Sequence, residues 1–170
     1  DCFGHELVYG RPYGTEKMLL HHAFVKTAKR LSKKLAIIDR TTGRRVSYHR
    51  ALIGSLILAE KFKSYDGYFI GIMVPSSAGC VLSILGALMS GKTPVMINYS
   101  TGAANNCLFA QKKCNFNTII TSKALLQKIN CPVLSGMVFL EDIMENLTLL
   151  DKLFAAIKAS LPLALLTKFI

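Results

Sequence analysis

The sequence predicts an α/β fold, a mostly parallel sheet covered by helices on both faces, with a small β-hairpin near the N-terminus. Three observations carry this. From Tyr48 onward, short apolar and β-branched stretches alternate with stretches of helical period, the pattern that crossover connections between parallel strands produce. Of the 170 residues 51% are hydrophobic and 18% charged, enough for one sizeable core and too few for two ordinary domains. Residues 67–91 contain no charged side chain, yet Pro75-Ser76-Ser77 divides them into a β-branched half and a Leu/Ala half. A buried strand followed by a buried helix accounts for that run better than a membrane span does.

Residues 1–17, rich in Gly, Tyr and charge and without period, read as a lead-in. A helix is predicted near residues 17–33, where Met18, Leu19, His22, Val25 and Ala28 follow helical spacing and cations gather at the C-terminal end. Two short strands, 35–39 and 45–48, flank the turn Thr41-Thr42-Gly43. Leu52, Ile53, Leu56, Ile57 and Ala59 then mark a helix over 48–62, which Asp66-Gly67 ends. A strand over 68–74 leads to a helix over 78–90 capped by Ser76 or Ser77. The alternation continues with strand 94–98, helix 103–113, strand 118–121, helix 123–129, strand 137–140 and helix 149–160 before Pro162. Residues 18–162 thus form one unit. Residues 163–170 are apolar, lack a stop signal and read as the start of a continuation.

Lys and Arg number 21 against 10 Asp and Glu, a net charge of +11. Nine of the bases (Lys26, Lys29, Arg30, Lys33, Lys34, Arg40, Arg44, Arg45, Arg50) fall within residues 26–50 beside one acid, Asp39. Such a patch suits an anionic membrane surface or an acidic partner. Nucleic acid is not expected, because Tyr48 is the window's only aromatic residue and no nucleic-acid module is present. No carboxylate occurs between Asp66 and Glu141, so the centre of the chain offers neither an acid/base pair nor oxygen ligands for a hard cation. His5, His21, His22 and His49 are not at ligand spacing, and no metal site is expected. Five cysteines without a C-x-x-C pair or an export leader indicate free, mostly buried thiols and a cytoplasmic location. Cys107 and Cys114, seven apart, fit one buried helical stripe.

Gly86-Ala-Leu-Met-Ser-Gly-Lys-Thr93 matches G-x-x-x-x-G-K-[ST], and Val138-Phe-Leu-Glu-Asp142 resembles a strand ending in acids that would hold Mg²⁺. The polarity is wrong, however. A phosphate loop needs a strand before it and a helix N-terminus after it, whereas here a helix precedes and Pro94 with a strand follows. Ser90-Gly91-Lys92 is therefore read as a helix stop, with Lys92 an exposed cation. Ligands of open parallel sheets lie beyond the strand C-termini, which here carry Pro75-Ser76-Ser77, Asn98-Tyr99-Ser100-Thr101 and Thr121-Ser122. Ser76, Ser77, Asn98, Tyr99, Ser100 and Thr101 are the candidate pocket wall. For each residue taken singly, helix capping by Ser, Thr and Asn is the better account.

Arg45-Val-Ser-Tyr48 before the Ala51-Leu52 helix, Ile72-Met-Val-Pro-Ser76 and Leu85-Gly-Ala-Leu-Met-Ser-Gly-Lys-Thr-Pro-Val-Met-Ile-Asn98 together resemble the opening of an AMP-forming acyl-activating synthetase. Met96-Ile-Asn-Tyr-Ser-Thr-Gly102, Thr118-Ile-Ile-Thr-Ser122 and Val138-Phe-Leu-Glu-Asp-Ile143 with Thr148-x-x-Asp151-Lys152 are similar to the acyl-acyl-carrier-protein synthetases joined to 2-acylglycerophosphoethanolamine acyltransferases. The likeness covers residues 19–162. It implies fatty acid activation by ATP through acyl-AMP and transfer to a carrier thiol, with the acyltransferase upstream. It also implies that the phosphate loop, the adenine contacts, the Glu that holds Mg²⁺ and the catalytic Lys all belong beyond Ile170. No catalytic residue and no bound ATP or Mg²⁺ are then expected in this chain. The implied partners are the remainder of the synthetase, acyl carrier protein, fatty acid and the inner face of the cell membrane. The apolar tail and C-terminal helix predict self-association. Two other readings are a small P-loop NTPase using Lys92 and Asp142, and a basic membrane-surface module without catalytic ancestry.

Overall fold

The computed structural model describes residues 18–40 and 42–170; the lead-in over 1–17 lies outside them. The element order is α1 (Leu20–Arg30), β1 (Leu35–Ile38), β2 (Arg45–Ser47), α2 (Tyr48–Lys63), β3 (Phe69–Ile72), α3 (Ala78–Met89), β4 (Thr93–Met96), α4 (Ala103–Cys114), β5 (Ile119–Thr121), α5 (Lys123–Ile129), β6 (Met137–Phe139), α6 (Leu140–Glu145), α7 (Leu149–Ser160) and α8 (Leu163–Leu166). β1 and β2 form an antiparallel hairpin, and the other four strands form a parallel sheet in the order β4-β3-β5-β6.

Strand periodicity sets the layers. On β3, Ile70 and Ile72 face one side with Ile120, packing against Leu58 and Phe62 of α2, Cys80 and Ala87 of α3 and Ile143 of α6. Phe69 and Met73 face the other side, with Ile119, against Cys107 of α4 and Leu125 and Leu126 of α5. Both faces of the sheet are thus covered by helices. A third cluster joins α1, α2, α7 and α8 through Val25, Leu52, Leu56, Ala155, Ala159 and Leu166. Ion pairs Lys61–Asp151 (3.0 Å) and Lys158–Glu60 (2.7 Å) tie α7 to α2. No helix among the described residues is long and apolar enough to cross a membrane.

Side-chain hydroxyls start four of the helices. Ser47, Ser77, Ser122 and Thr148 cap α2, α3, α5 and α7 with their hydroxyls. Thr148 and Asp151 form a reciprocal capping box, so a pair singled out by resemblance holds a helix start. Pro94 is tolerated within a strand because β4 lies at the sheet edge.

Several expectations need correction. α1 begins at Leu20 and stops at Arg30, shorter than the apolar spacing suggested. α6 and α8 escape sequence reading because six and four residues are too few to express a helical period. The tail packs on the helical layer. Leu166 is fully buried, and Leu161, Leu163 and Ile170 pack on the α1/α2 cluster. What stays uncovered is the outer face of α7, where Leu149, Leu150, Leu153, Phe154 and Ile157 are all more than half exposed.

Candidate functional site

β3 sends its connection to β4 on one side, while β5 lies on the other, so the chain diverges between the C-terminal ends of β3 and β5. Crevices in doubly wound sheets open at such a point. At that point the Met73 carbonyl accepts the buried Thr121 hydroxyl at 2.9 Å and its amide donates to Ile120 O at 2.9 Å. Beyond Thr121, the Ser122 hydroxyl donates to Glu141 Oε1 at 2.7 Å and accepts from Leu125 N at 3.3 Å. Glu141 opens α6 at the end of β6. Its other oxygen is enclosed without a donor among the described residues. Burial pushes the Glu141 carboxyl up, but hydrogen bonds from Ser122 and from backbone amides outweigh it and leave the group below its ordinary value. Asp142 pairs with Lys123, and that bond raises the lysine's pKa.

The six candidate wall residues fall in two adjacent loops, after β3 and after β4. Ser76 is exposed, and Ser77 caps α3 by accepting from Cys80 N at 3.3 Å. Asn98 Oδ1 accepts from Ser100 N at 2.9 Å, and Asn106 of α4 donates to the carbonyls of Asn98 (2.9 Å) and Thr101 (2.7 Å). The second loop is therefore a braced turn, with Tyr99 half buried against the α4/α5 core cluster. It lies one strand away from the divergence point, whereas Thr121, Ser122 and Glu141 line that point. Sequence reasoning placed Thr121-Ser122 at one strand end and Glu141-Asp142 at another but did not bring the two together, since strand order alone sets β6 beside β5.

The α3 N-terminus, the natural seat for an anion, is already filled. Asp39, buried in the turn between β1 and β2, accepts from Ala78 N at 3.0 Å through one oxygen and from Thr42 N at 3.1 Å through the other. Its carboxylate clamps the hairpin to the sheet and would repel a phosphate there.

The phosphate-loop match is excluded by its geometry. Gly86 lies inside α3, where a Cβ would stand 2.8 Å from Leu58 Cβ, so this glycine permits the α2–α3 crossing. Gly91, at φ +78°, ends α3 with Lys92 N donating to Ala87 O (2.9 Å) and Gly91 N to Leu88 O (3.2 Å), the paired bonds of a Schellman stop. Lys92 itself corrects the expectation of an exposed cation. It is only 9% exposed, and its ammonium donates to Tyr65 O at 2.7 Å and Gly67 O at 2.6 Å. Lys92 stands before β4 and Asp142 after β6, at opposite ends and opposite edges of the sheet.

Cys80, Cys107, Cys114 and Cys131 are free thiols. Cys107 lies 3.5 Å from Met73 Sδ, and burial, with a smaller contribution from Cys131, pushes it up to about 11. Cys114 joins the same core cluster, as the seven-residue spacing predicted. Among the described residues no group of three or more His, Cys, Asp or Glu is placed to hold a metal ion.

No family model matches the chain. Solved structures do. A nonribosomal peptide synthetase, FmoA3, bound to α-methyl-L-serine-AMP, superposes on 80% of this chain with TM-score 0.67 at 14% identity. This chain therefore shares its α/β fold with part of that synthetase. The same fold appears in the O-succinylbenzoate coenzyme A synthetase of Bacillus subtilis in complex with ATP and magnesium ion (TM-score 0.61, 14% identity, 74% of this chain). It appears again in a benzoate CoA ligase of Burkholderia xenovorans (TM-score 0.62, 17% identity, 76% of this chain). The chain spans 15%, 34% and 29% of those three proteins respectively.

Proposed function

We propose that this chain is the N-terminal α/β layer of an AMP-forming acyl-activating synthetase of the acyl-acyl-carrier-protein type. In this reading the β3 and β4 loops, with Ser76, Ser77, Asn98, Tyr99, Ser100 and Thr101, wall an acyl-adenylate pocket, and Thr121, Ser122 and Glu141 brace its floor. The supporting observation is the fold likeness over 80% of the chain to a synthetase holding an aminoacyl adenylate, joined to the motif order from Leu85 to Asn98. The residues present do not fit ATP phosphates or Mg²⁺. The α3 N-terminus is filled by Asp39, Glu141 is bonded to Ser122, and Asp142 is paired with Lys123. Those ligands would be supplied by the remainder of the synthetase, seated on the exposed apolar face of α7; without it, the same face favours self-association. Fatty acid and acyl carrier protein are the partners of the whole enzyme, in the cytoplasm.

The test is reconstitution. Calorimetry of the isolated chain with Mg-ATP should give no binding heat, and fatty acid should release no pyrophosphate, because the groups that stabilise transferred charge are elsewhere. Joined to the remaining portion of an acyl-acyl-carrier-protein synthetase that lacks its own N-terminal layer, the chain should restore acyl-AMP formation. ATP turnover by the chain alone, or a folded chimera without activity, would count against the proposal.

A further inference from the structure

The hairpin β1–β2 and its flanks carry eight exposed cations: Lys26, Arg30, Lys33, Lys34, Arg40, Arg44, Arg45 and Arg50. The ninth base of this window is turned away from them, since the Lys29 ammonium donates to the carbonyls of Ala159 and Leu161 at the end of α7. The window's one acid is also turned away: buried Asp39 accepts from Thr42 N and Ala78 N. None of the eight forms an ion pair among the described residues, whose ion pairs are Lys61–Asp151, Lys63–Glu60, Lys158–Glu60 and Lys123–Asp142. The hairpin side of the molecule is therefore strongly cationic, with eight exposed bases that form no ion pair among the described residues. The hairpin strands are at most four residues long, about 13 Å at 3.3 Å per residue. Neighbouring cations there lie within about a Debye length, so their potentials add.

Two further features select the partner. Ile38 (55% exposed) of β1 is paired with Arg45 across the hairpin, which sets an exposed aliphatic side chain beside a cation, as a surface that enters a headgroup layer requires. Against nucleic acid, Tyr48 is half buried against Phe24, with ring centroids 6.4 Å apart, so it offers no stacking platform, and residues 26–50 contain no Asn or Gln to read base edges. Five of the eight cations are Arg, whose planar fork matches phosphate oxygens.

We propose that this hairpin surface docks on an anionic phospholipid bilayer, its guanidinium groups on lipid phosphates and Ile38 in the headgroup layer. The proposal is independent of the adenylation reading.

Flotation with vesicles tests it, using phosphatidylcholine alone and phosphatidylcholine containing about one third phosphatidylglycerol. The chain should float with the anionic vesicles at about 0.05 M salt and lose that binding near 0.5 M. Each cation removed should lower partition about fivefold, so Arg44→Glu with Arg45→Glu should lower it more than about 25-fold. Lys112→Glu with Lys128→Glu makes the same change in net charge on α4 and α5, across the sheet, and should alter partition less than about threefold. Ile38→Ser should weaken binding severalfold and leave its salt dependence unchanged. All these side chains are exposed, so circular dichroism should report intact folds; should the Arg pair fail that check, Lys33→Gln with Lys34→Gln replaces it. No flotation at low salt, equal losses from the control pair, or tighter binding to duplex DNA of equal phosphate concentration would overturn the proposal.

Discussion

Lys92→Ala separates a structural lysine from a surface one. The ammonium lies beyond the C-terminal end of α2, where the helix dipole favours a cation, and bonds the carbonyls of Tyr65 and Gly67 at 2.7 and 2.6 Å. These two bonds fix the turn that delivers the chain into β3. Hydrogen bonds to a charged donor are worth about 1.5–3 kcal/mol when the acceptor left behind is sheltered. Tyr65 is half buried, whereas Gly67 is exposed and recovers water easily. The truncation should thus cost about 2–3 kcal/mol in all, since loss of stem packing is offset in part by the side-chain entropy regained. For a chain of this size that is roughly 4–12 °C in Tm. Lys92→Met keeps the stem and loses only the bonds, so it should fall about 1 kcal/mol short of the Ala variant. Urea unfolding followed by circular dichroism measures both. A loss below about 0.5 kcal/mol for Lys92→Ala, the usual value at a surface site, would refute the buried tether.

Gly86→Ala places a Cβ 2.8 Å from Leu58 Cβ and 3.3 Å from the backbone of Ser55 and Ala59. It should destabilise by about 1–3 kcal/mol despite alanine's better helix propensity, with an unchanged Tm refuting the close crossing. Ser55 and Ser83 are fully buried on α2 and α3, and neither hydroxyl has a partner among the described residues. Ser83→Ala should therefore be neutral or raise stability by up to about 1 kcal/mol in the same urea assay, and a loss above that size would reveal a bond from the hydroxyl. Burial, aided by neighbouring His22, lowers the pKa of His21 from its ordinary 6.5. The unfolded chain then takes up this proton first, so stability should be flat above about pH 6.5 and fall as pH drops toward the folded-state value. His21→Leu should remove that part of the slope, and parallel profiles for the two proteins would refute it.

How far the fold was legible depends on the range of the signal. The succession of short apolar and helical stretches from Tyr48 onward, the charge-free stretch over 67–91 and the hydroxyls of Ser77 and Ser122 are local features, and they indicated the fold class and most helix starts because period and capping act within a few residues. The Schellman stop at Ser90-Gly91 was readable for the same reason, and so was the shared buried stripe of Cys107 and Cys114. The order β4-β3-β5-β6 was not, because a right-handed crossover leaves the same local pattern whichever side of the sheet it joins. That order sets β5 beside β3, places the divergence of the chain next to Thr121 and Ser122, and brings Glu141 there from a distant strand. The tethering of two cations to distant carbonyls was equally hidden. Lys29 and Lys92 look like their neighbours in sequence, and only packing brings carbonyls from Ala159 and Leu161 to one, and from Tyr65 and Gly67 to the other. Asp39 follows the same rule: a lone acid in a basic stretch becomes the cap of a helix that begins 39 residues later, because a buried carboxylate must find donors wherever the fold places them.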